Sequence, residues 1–155
     1  MKRNLCTLAF LVTIVSVFSQ SYWIDSALFR GAVFLREYDF IYYHRDEEPF
    51  SPSYDEISDA ESVLRDSIDS YLVTNNIHTK IINMENLQIY TRQYKGILLE
   101  NGEKVIYVSL FKVNIPQRLI LANWLEIQDG GEYVWSIAVN ITRRTLFGIF
   151  INGVA

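Results

Sequence analysis

The tetrapeptide Glu100-Asn101-Gly102-Glu103, set between two runs rich in β-branched and aromatic residues, constrains this chain more than any other stretch. Asn-Gly is the preferred two-residue hairpin turn because both positions need positive φ. A tight turn there pairs residues whose numbers sum to 203, so that Leu98 faces Val105, Gly96 faces Tyr107, Tyr94 faces Ser109 and Arg92 faces Phe111. In that register Arg92 and Phe111 form a cross-strand stacking pair. A second hairpin is predicted around Thr142-Arg143-Arg144, joining residues 133–141 to residues 145–151. Alternation along its first arm puts Tyr133, Trp135, Ile137, Val139 and Ile141 on one face. Asp129-Gly130-Gly131 is the turn that leads into it. Between the hairpins, residues 113–127 hold Pro116 and the apolar group Leu119, Ile120, Leu121 and Trp124, and read as a crossing loop with a short strand at 124–128.

Ahead of the hairpins lies the clearest helix, over residues 51–76. Ser51 can accept hydrogen bonds from the first turn, and Pro52 suits the first helical position, where no amide donor is needed. Asp55, Glu56 and Asp59 follow near the positive end of the helix dipole. Ile57, Ala60, Leu64, Ile68, Tyr71 and Leu72 recur at spacings of three and four, one apolar stripe, with Glu61, Arg65, Asp66 and Asp69 on the other side. Asn75-Asn76 ends the run. The order helix, strand, strand, crossing, strand, strand predicts an α+β fold, one main helix packed on a roughly four-stranded antiparallel sheet over residues 87–155.

Residues 20–50 are aromatic-rich and show no clean period. From Tyr38 the alternation fits a short strand, and before it a helix from Asp25 fits equally well. Several strands carry apolar side chains on both faces, so the face away from the helix needs a cover, and this segment is the natural one. Otherwise an aromatic patch built from Tyr94, Tyr107, Trp124 and Trp135 stays open, and such patches mark partner surfaces.

Residues 1–19 read as a secretory signal peptide: Lys2 and Arg3, an apolar run from Leu5 to Phe18, and small side chains before a cut after Ser19. The run is ~14 residues, too short to span a ~30 Å hydrocarbon layer. The expected product is one domain over residues 20–155, secreted or held in the periplasm or cell envelope, with no transmembrane segment. Cys6 lies inside the apolar run, away from the position that lipidation requires, and the rest of the chain has no cysteine for a disulfide. Half of the residues being hydrophobic, a core alone can hold the domain. Exported domains of this size without bridges point toward a bacterial source.

Without Lys2 and Arg3 the chain carries 12 basic and 18 acidic residues, a net charge of −6. Nucleic acid is excluded as a partner, because a grip on phosphates needs a basic stripe and the one adjacent basic pair, Arg143-Arg144, is a turn. Arg92 and Lys95 point to opposite faces of a strand and share no anion site. The zinc and serine-nucleophile motifs are missing, as are glycine-rich phosphate loops, so no catalytic, metal or cofactor-binding residue is assigned. Glu126 and Asp129 lack the alternating oxygen ligands of a calcium loop. His44, among Tyr42, Tyr43, Asp46 and Glu47, is the one candidate general base, while His78 sits in a polar connection after the helix. Asn140-Ile141-Thr142 matches a glycosylation sequon.

Phe50-Ser51-Pro52-Ser53 opening an acidic helix, Arg92-Gln93-Tyr94, Asn101-Gly102-Glu103-Lys104, Trp124, Asp129-Gly130-Gly131 and the terminal Asn152-Gly153-Val154-Ala155 together resemble small uncharacterised secreted bacterial proteins. The layout is similar to the cystatin-like or BLIP/PepSY-like α+β class. The resemblance spans residues 50–155 and implies an architecture without a reaction. A cystatin inhibitor loop reads Gln-x-Val-x-Gly, whereas this chain has Gln93-Tyr94-Lys95-Gly96 inside a strand. The expected function is an exported, non-enzymatic binding module whose partner is another protein or an envelope component. The alternative is a small hydrolase or isomerase that uses His44 with a carboxylate in a pocket between helix and sheet.

Overall fold

The computed structural model describes residues 20–38 and 47–153. Residues 1–19, where a signal peptide is expected, and His44, Asp46 and the aromatic residues Phe40, Tyr42 and Tyr43 lie outside the described residues.

The architecture is α+β, with one main helix on an open, mostly antiparallel sheet. Among the described residues the sheet has seven strands rather than four: β1 (Ser21–Asp25), β2 (Arg30–Phe34), β3 (Glu47–Phe50), β4 (Thr91–Leu99), β5 (Lys104–Phe111), β6 (Val134–Asn140) and β7 (Thr145–Ile151). They run in the order β1-β2-β4-β5-β6-β7, and β3 also borders β4. The extra three come from the aromatic-rich segment, which builds strands where a helix from Asp25 was an option. Residues 31–34 of β2 lie parallel to residues 92–95 of β4, and β3 runs antiparallel along residues 96–99, so the two share one edge of β4.

Helix α1 (Tyr54–Thr74) starts later than Pro52 suggests. Its cap is Ser53, whose hydroxyl accepts from Glu56 N–H at 3.2 Å while the Glu56 carboxylate accepts from Ser53 N–H at 2.8 Å. This capping box satisfies two end groups reciprocally, more than Ser51 could do from its place. The Ser51 hydroxyl instead accepts from Arg36 N–H. The stripe Ile57, Ala60, Leu64, Ile68 and Leu72 is buried as its spacing predicts, and burying each of the larger aliphatic side chains contributes about 1.5–3 kcal/mol. Glu61 departs from the expected solvent face and is 3 % exposed.

The first hairpin also departs from its predicted register. Leu99 N–H donates to Glu103 O and Gly102 N–H to Leu99 O, which closes a three-residue loop of Glu100, Asn101 and Gly102. Gly102 alone takes positive φ, +81°, while Asn101 turns its side chain to accept from Glu103 N–H. This is the type I turn with a left-handed glycine, the next commonest hairpin connection. Partners therefore sum to 202: Arg92 faces Leu110, Tyr94 faces Val108 and Lys95 faces Tyr107. A shift of one residue moves each side chain's partners to the other face. Tyr94 and Tyr107 are thereby separated by the sheet, and Arg92 loses the expected stack on Phe111.

The second hairpin forms as predicted between β6 and β7, with a bulge opposite Ile137 that falls at Gly148. The segment before β4 is a 3₁₀ helix, Met84–Ile89, and not strand.

Helix α1, with Val33, Tyr94, Ile106, Val108, Leu110, Trp135, Ile137 and Val139 beneath it, forms the larger core. The other face is covered by the crossing segment. It contains a short helix α2 (Gln117–Ala122), and residues 124–128 form no strand. Ile120, Trp124, Leu125 and Ile127 pack on Ala32, Phe34, Phe111 and Val134 as a second core. The cover predicted from residues 20–50 is therefore supplied chiefly by residues 117–127, and the earlier segment extends the sheet sideways. Tyr38 is its contribution to this layer, stacked edge-on against Phe34 at 4.6 Å.

Candidate functional site

Two adjacent residues of β4 set the surroundings of the site. Arg92 points under α1, where its Nε lies 2.7 Å from Glu61 Oε1 without its N–H aimed at that oxygen, and its Nη1 donates to Tyr90 O at 2.7 Å. Tyr94 OH donates to the same Glu61 oxygen at 2.8 Å. Burial pushes the Glu61 carboxyl up and outweighs the opposing pull of Arg92, and burial likewise holds the Tyr94 phenol well above its usual range. Glu61 Oε2 and Arg92 Nη2 are buried without hydrogen-bond partners. This closed pair leaves no room for a reactant.

Gln93 points the other way. Its amide nitrogen donates to Ile120 O at 2.8 Å and Asn123 O at 2.7 Å, and its carbonyl accepts from Leu125 N–H at 2.8 Å. Asn152 Nδ2 donates to Ile127 O, fastening the far end of the same segment. Tied at both ends, residues 124–127 stand beside the sheet and leave a groove of about 300 Å³ over β4, β5 and β6. Lys95, Tyr107, Trp124, Glu126, Ser136 and Phe150 are among its walls.

The Lys95 ammonium sits 5.2 Å from the centre of the Tyr107 ring and 5.3 Å from that of Trp124, within the range of cation–π attraction. Burial lowers its pKa, and the Glu47 and Glu126 carboxylates pull in the opposite direction. Tyr107 OH donates to Glu47 Oε1 at 3.2 Å. Its pKa is pushed up to about 12 by burial and then by Glu47. Trp124 lies edge-on to Phe34 at 5.6 Å, and its backbone N–H donates to Tyr38 OH at 3.0 Å. The groove thus offers aromatic faces, one cation between two rings, and hydroxyl groups along the floor.

The four aromatic residues singled out from the sequence divide between the two faces. Tyr94 is fully buried and Trp135, 1 % exposed, stands edge-on to Tyr90 at 5.8 Å, both under α1. Tyr107 and Trp124 are half-buried on the opposite face and meet across Lys95. The expected opposition of Arg92 and Lys95 is observed. Lys95, Glu126 and Phe150 escaped the sequence reading as site residues. Phe150 had a usable signal in the alternation of residues 145–151, which the bulge at Gly148 shifts by one.

His78 is exposed beyond α1, beside a shallow depression shared with Asp69 and Asn76. The Asn140 amide is buried, donating to Glu103 at 2.7 Å and accepting from Arg143 N–H at 2.9 Å, so in the folded chain the sequon presents no free acceptor. Among the described residues no group of three His, Cys, Asp or Glu could hold a metal ion, and no helix is long and apolar enough to cross a membrane. No family model matches the chain, and neither a curated protein nor a solved structure matches it.

Proposed function

We propose that this chain is an exported, non-enzymatic binding module, and that it binds a protein or envelope partner through the groove walled by Tyr107, Trp124 and Phe150. The observation that carries this reading is the arrangement around Lys95: two half-buried rings hold a cation at the rim of an open cavity of about 300 Å³. That volume is at the lower end of the ~300–1,000 Å³ of small-ligand sites and suits one large side chain of a partner. Aromatic anchors in a desolvated pocket are the usual centres of binding energy at such contacts. The basic pair Lys2-Arg3 followed by the apolar run to Phe18 supports export.

A photoreactive amino acid in place of Phe150 tests it. In cells exporting the chain, the expected result is a discrete adduct that disappears when Ser136→Phe fills the groove. An adduct unchanged by Ser136→Phe, or matched by a photoreactive group at exposed Val73 on α1, would refute the groove as the binding site.

A further inference from the structure

We infer that β7 pairs edge to edge with β7 of a second copy of this chain. An unpaired strand edge invites another strand, and proteins blunt such edges with charge, proline or brevity. The other free edges here are blunted: β1 is five residues long and ends on exposed Asp25, and β3 is four residues long with Glu47, Glu48 and Pro49. Strand β7 is seven residues long, Thr-Leu-Phe-Gly-Ile-Phe-Ile, without a charge or a proline. Among the described residues no strand lies along its outer edge. Phe147 and Phe150 are 39 % and 64 % exposed, on the face away from α1.

Charge selects a second copy as the occupant. Exposed Arg143 and Arg144 precede β7, and just beyond its far end Gly153 is bridged to exposed Asp129. An antiparallel copy related by a two-fold axis brings each basic end against the other copy's acidic end, a self-complementary arrangement. One register keeps like faces together, with the axis between Gly148 and Ile149. Phe147 then faces Phe150 of the second copy, Leu146 faces Ile151, and Arg144 faces Gly153 beside Asp129. Because the axis passes through the bulge at Gly148, both strands deviate at the same point and stay in step on either side. Phe150 also lines the groove, so the second copy adds a phenylalanine to its rim.

Sedimentation velocity of the purified protein over a concentration series is the test. The expected result is a monomer–dimer equilibrium that weakens with salt. Phe147→Lys should abolish the dimer while leaving the circular dichroism spectrum unchanged. Arg144→Glu and Asp129→Arg should each weaken it by about tenfold or more, and their combination should restore it. Mixing Phe147→Cys and Phe150→Cys proteins should give the mixed disulfide faster than either homodimer. A protein that stays monomeric at high micromolar concentration, or a dimer indifferent to Phe147→Lys and to the charge swap, overturns the pairing. So does a β7 edge occupied by a strand of a different protein. The photocrosslinking experiment on monomeric Phe147→Lys protein reads the groove separately, so failure of one idea is distinguishable from failure of the other.

Discussion

Each face of the sheet is tied to its covering layer by a buried polar side chain of β4, and the two residues are consecutive. Arg92 reaches a side chain, Glu61 of α1, and the layer above it is sealed. Gln93 reaches three backbone groups of the crossing segment, and the layer above it stays open at the groove. The difference is one of chemistry. A buried ion pair has left water altogether, and removing one partner leaves a stranded charge. An amide that satisfies backbone groups can hold a segment in place while its neighbours remain in water.

The largest expected effect breaks the sealed side. Arg92→Met leaves the Glu61 carboxylate buried without its cation and should cost about 3–5 kcal/mol of stability in a denaturant titration. Adding Glu61→Leu should recover most of that loss, since an apolar pair of similar volume is often as stable as a buried ion pair with unpaired atoms. A double variant as unstable as the single one would show that Arg92 acts through Tyr90 O and not through Glu61.

Gln93→Leu attacks the open side and should cost less, about 1–3 kcal/mol, because it strands neutral backbone groups rather than a charge. Hydrogen exchange sharpens the contrast. Protection should fall in residues 117–125 while α1 keeps its own, and uniform loss across both layers would count against separate fastening.

The start of α1 is the next step down. Ser53→Ala should cost about 1 kcal/mol by removing the cap, whereas Ser51→Ala, which loses only a contact to Arg36 N–H, should cost less. Equal losses would remove the capping box from the account.

The smallest effect is a pH dependence that samples both faces. Unfolded tyrosines titrate near ~10, whereas Tyr90 under α1 and Tyr107 in the groove hold their protons to about 12. Between those values the folded chain binds more protons than the unfolded chain, so their contribution is fully present below the unfolded value and is lost as pH rises through the window. Tyr107→Phe should flatten part of that slope. A partner seated in the groove should alter the titration of Tyr107, read by absorbance at alkaline pH, and leave Tyr90 as it was.

How much was legible follows from the same residues. Helix α1 was readable because its stripe repeats over about four turns and its ends carry strong signals. Even so, the cap moved from Ser51 to Ser53, since the reciprocal bond with Glu56 depends on a spacing that Ser51 lacks. Both hairpins were readable from their turns, but the register of the first was not. Strand β5 carries apolar side chains on both faces, Ile106, Val108 and Leu110 toward α1 and Val105 and Phe111 away from it. A period of two cannot choose between faces that are equally apolar. The candidate site shared that fate: the types of Tyr107 and Trp124 marked them, but Tyr94 and Trp135 bear the same mark and are core.

The sequence by itself determined the main helix, the two hairpins, the α+β class and a chain whose strands are apolar enough to need covers on both faces. Tertiary structure alone decided the edges and the contents of those covers. Strands β1, β2 and β3 are four or five residues long, too short to carry a period; β2 and β3 form because β4 offers them an edge, and β1 forms on β2. Glu61 looks solvent-facing on its own helix and becomes buried because Arg92, 31 positions later, meets it there. The groove exists because Gln93 and Asn152 fix where residues 124–127 lie on the sheet, so that they wall it on one side. Each of these depends on pairing between segments distant in the chain, and only the folded chain brings such segments together.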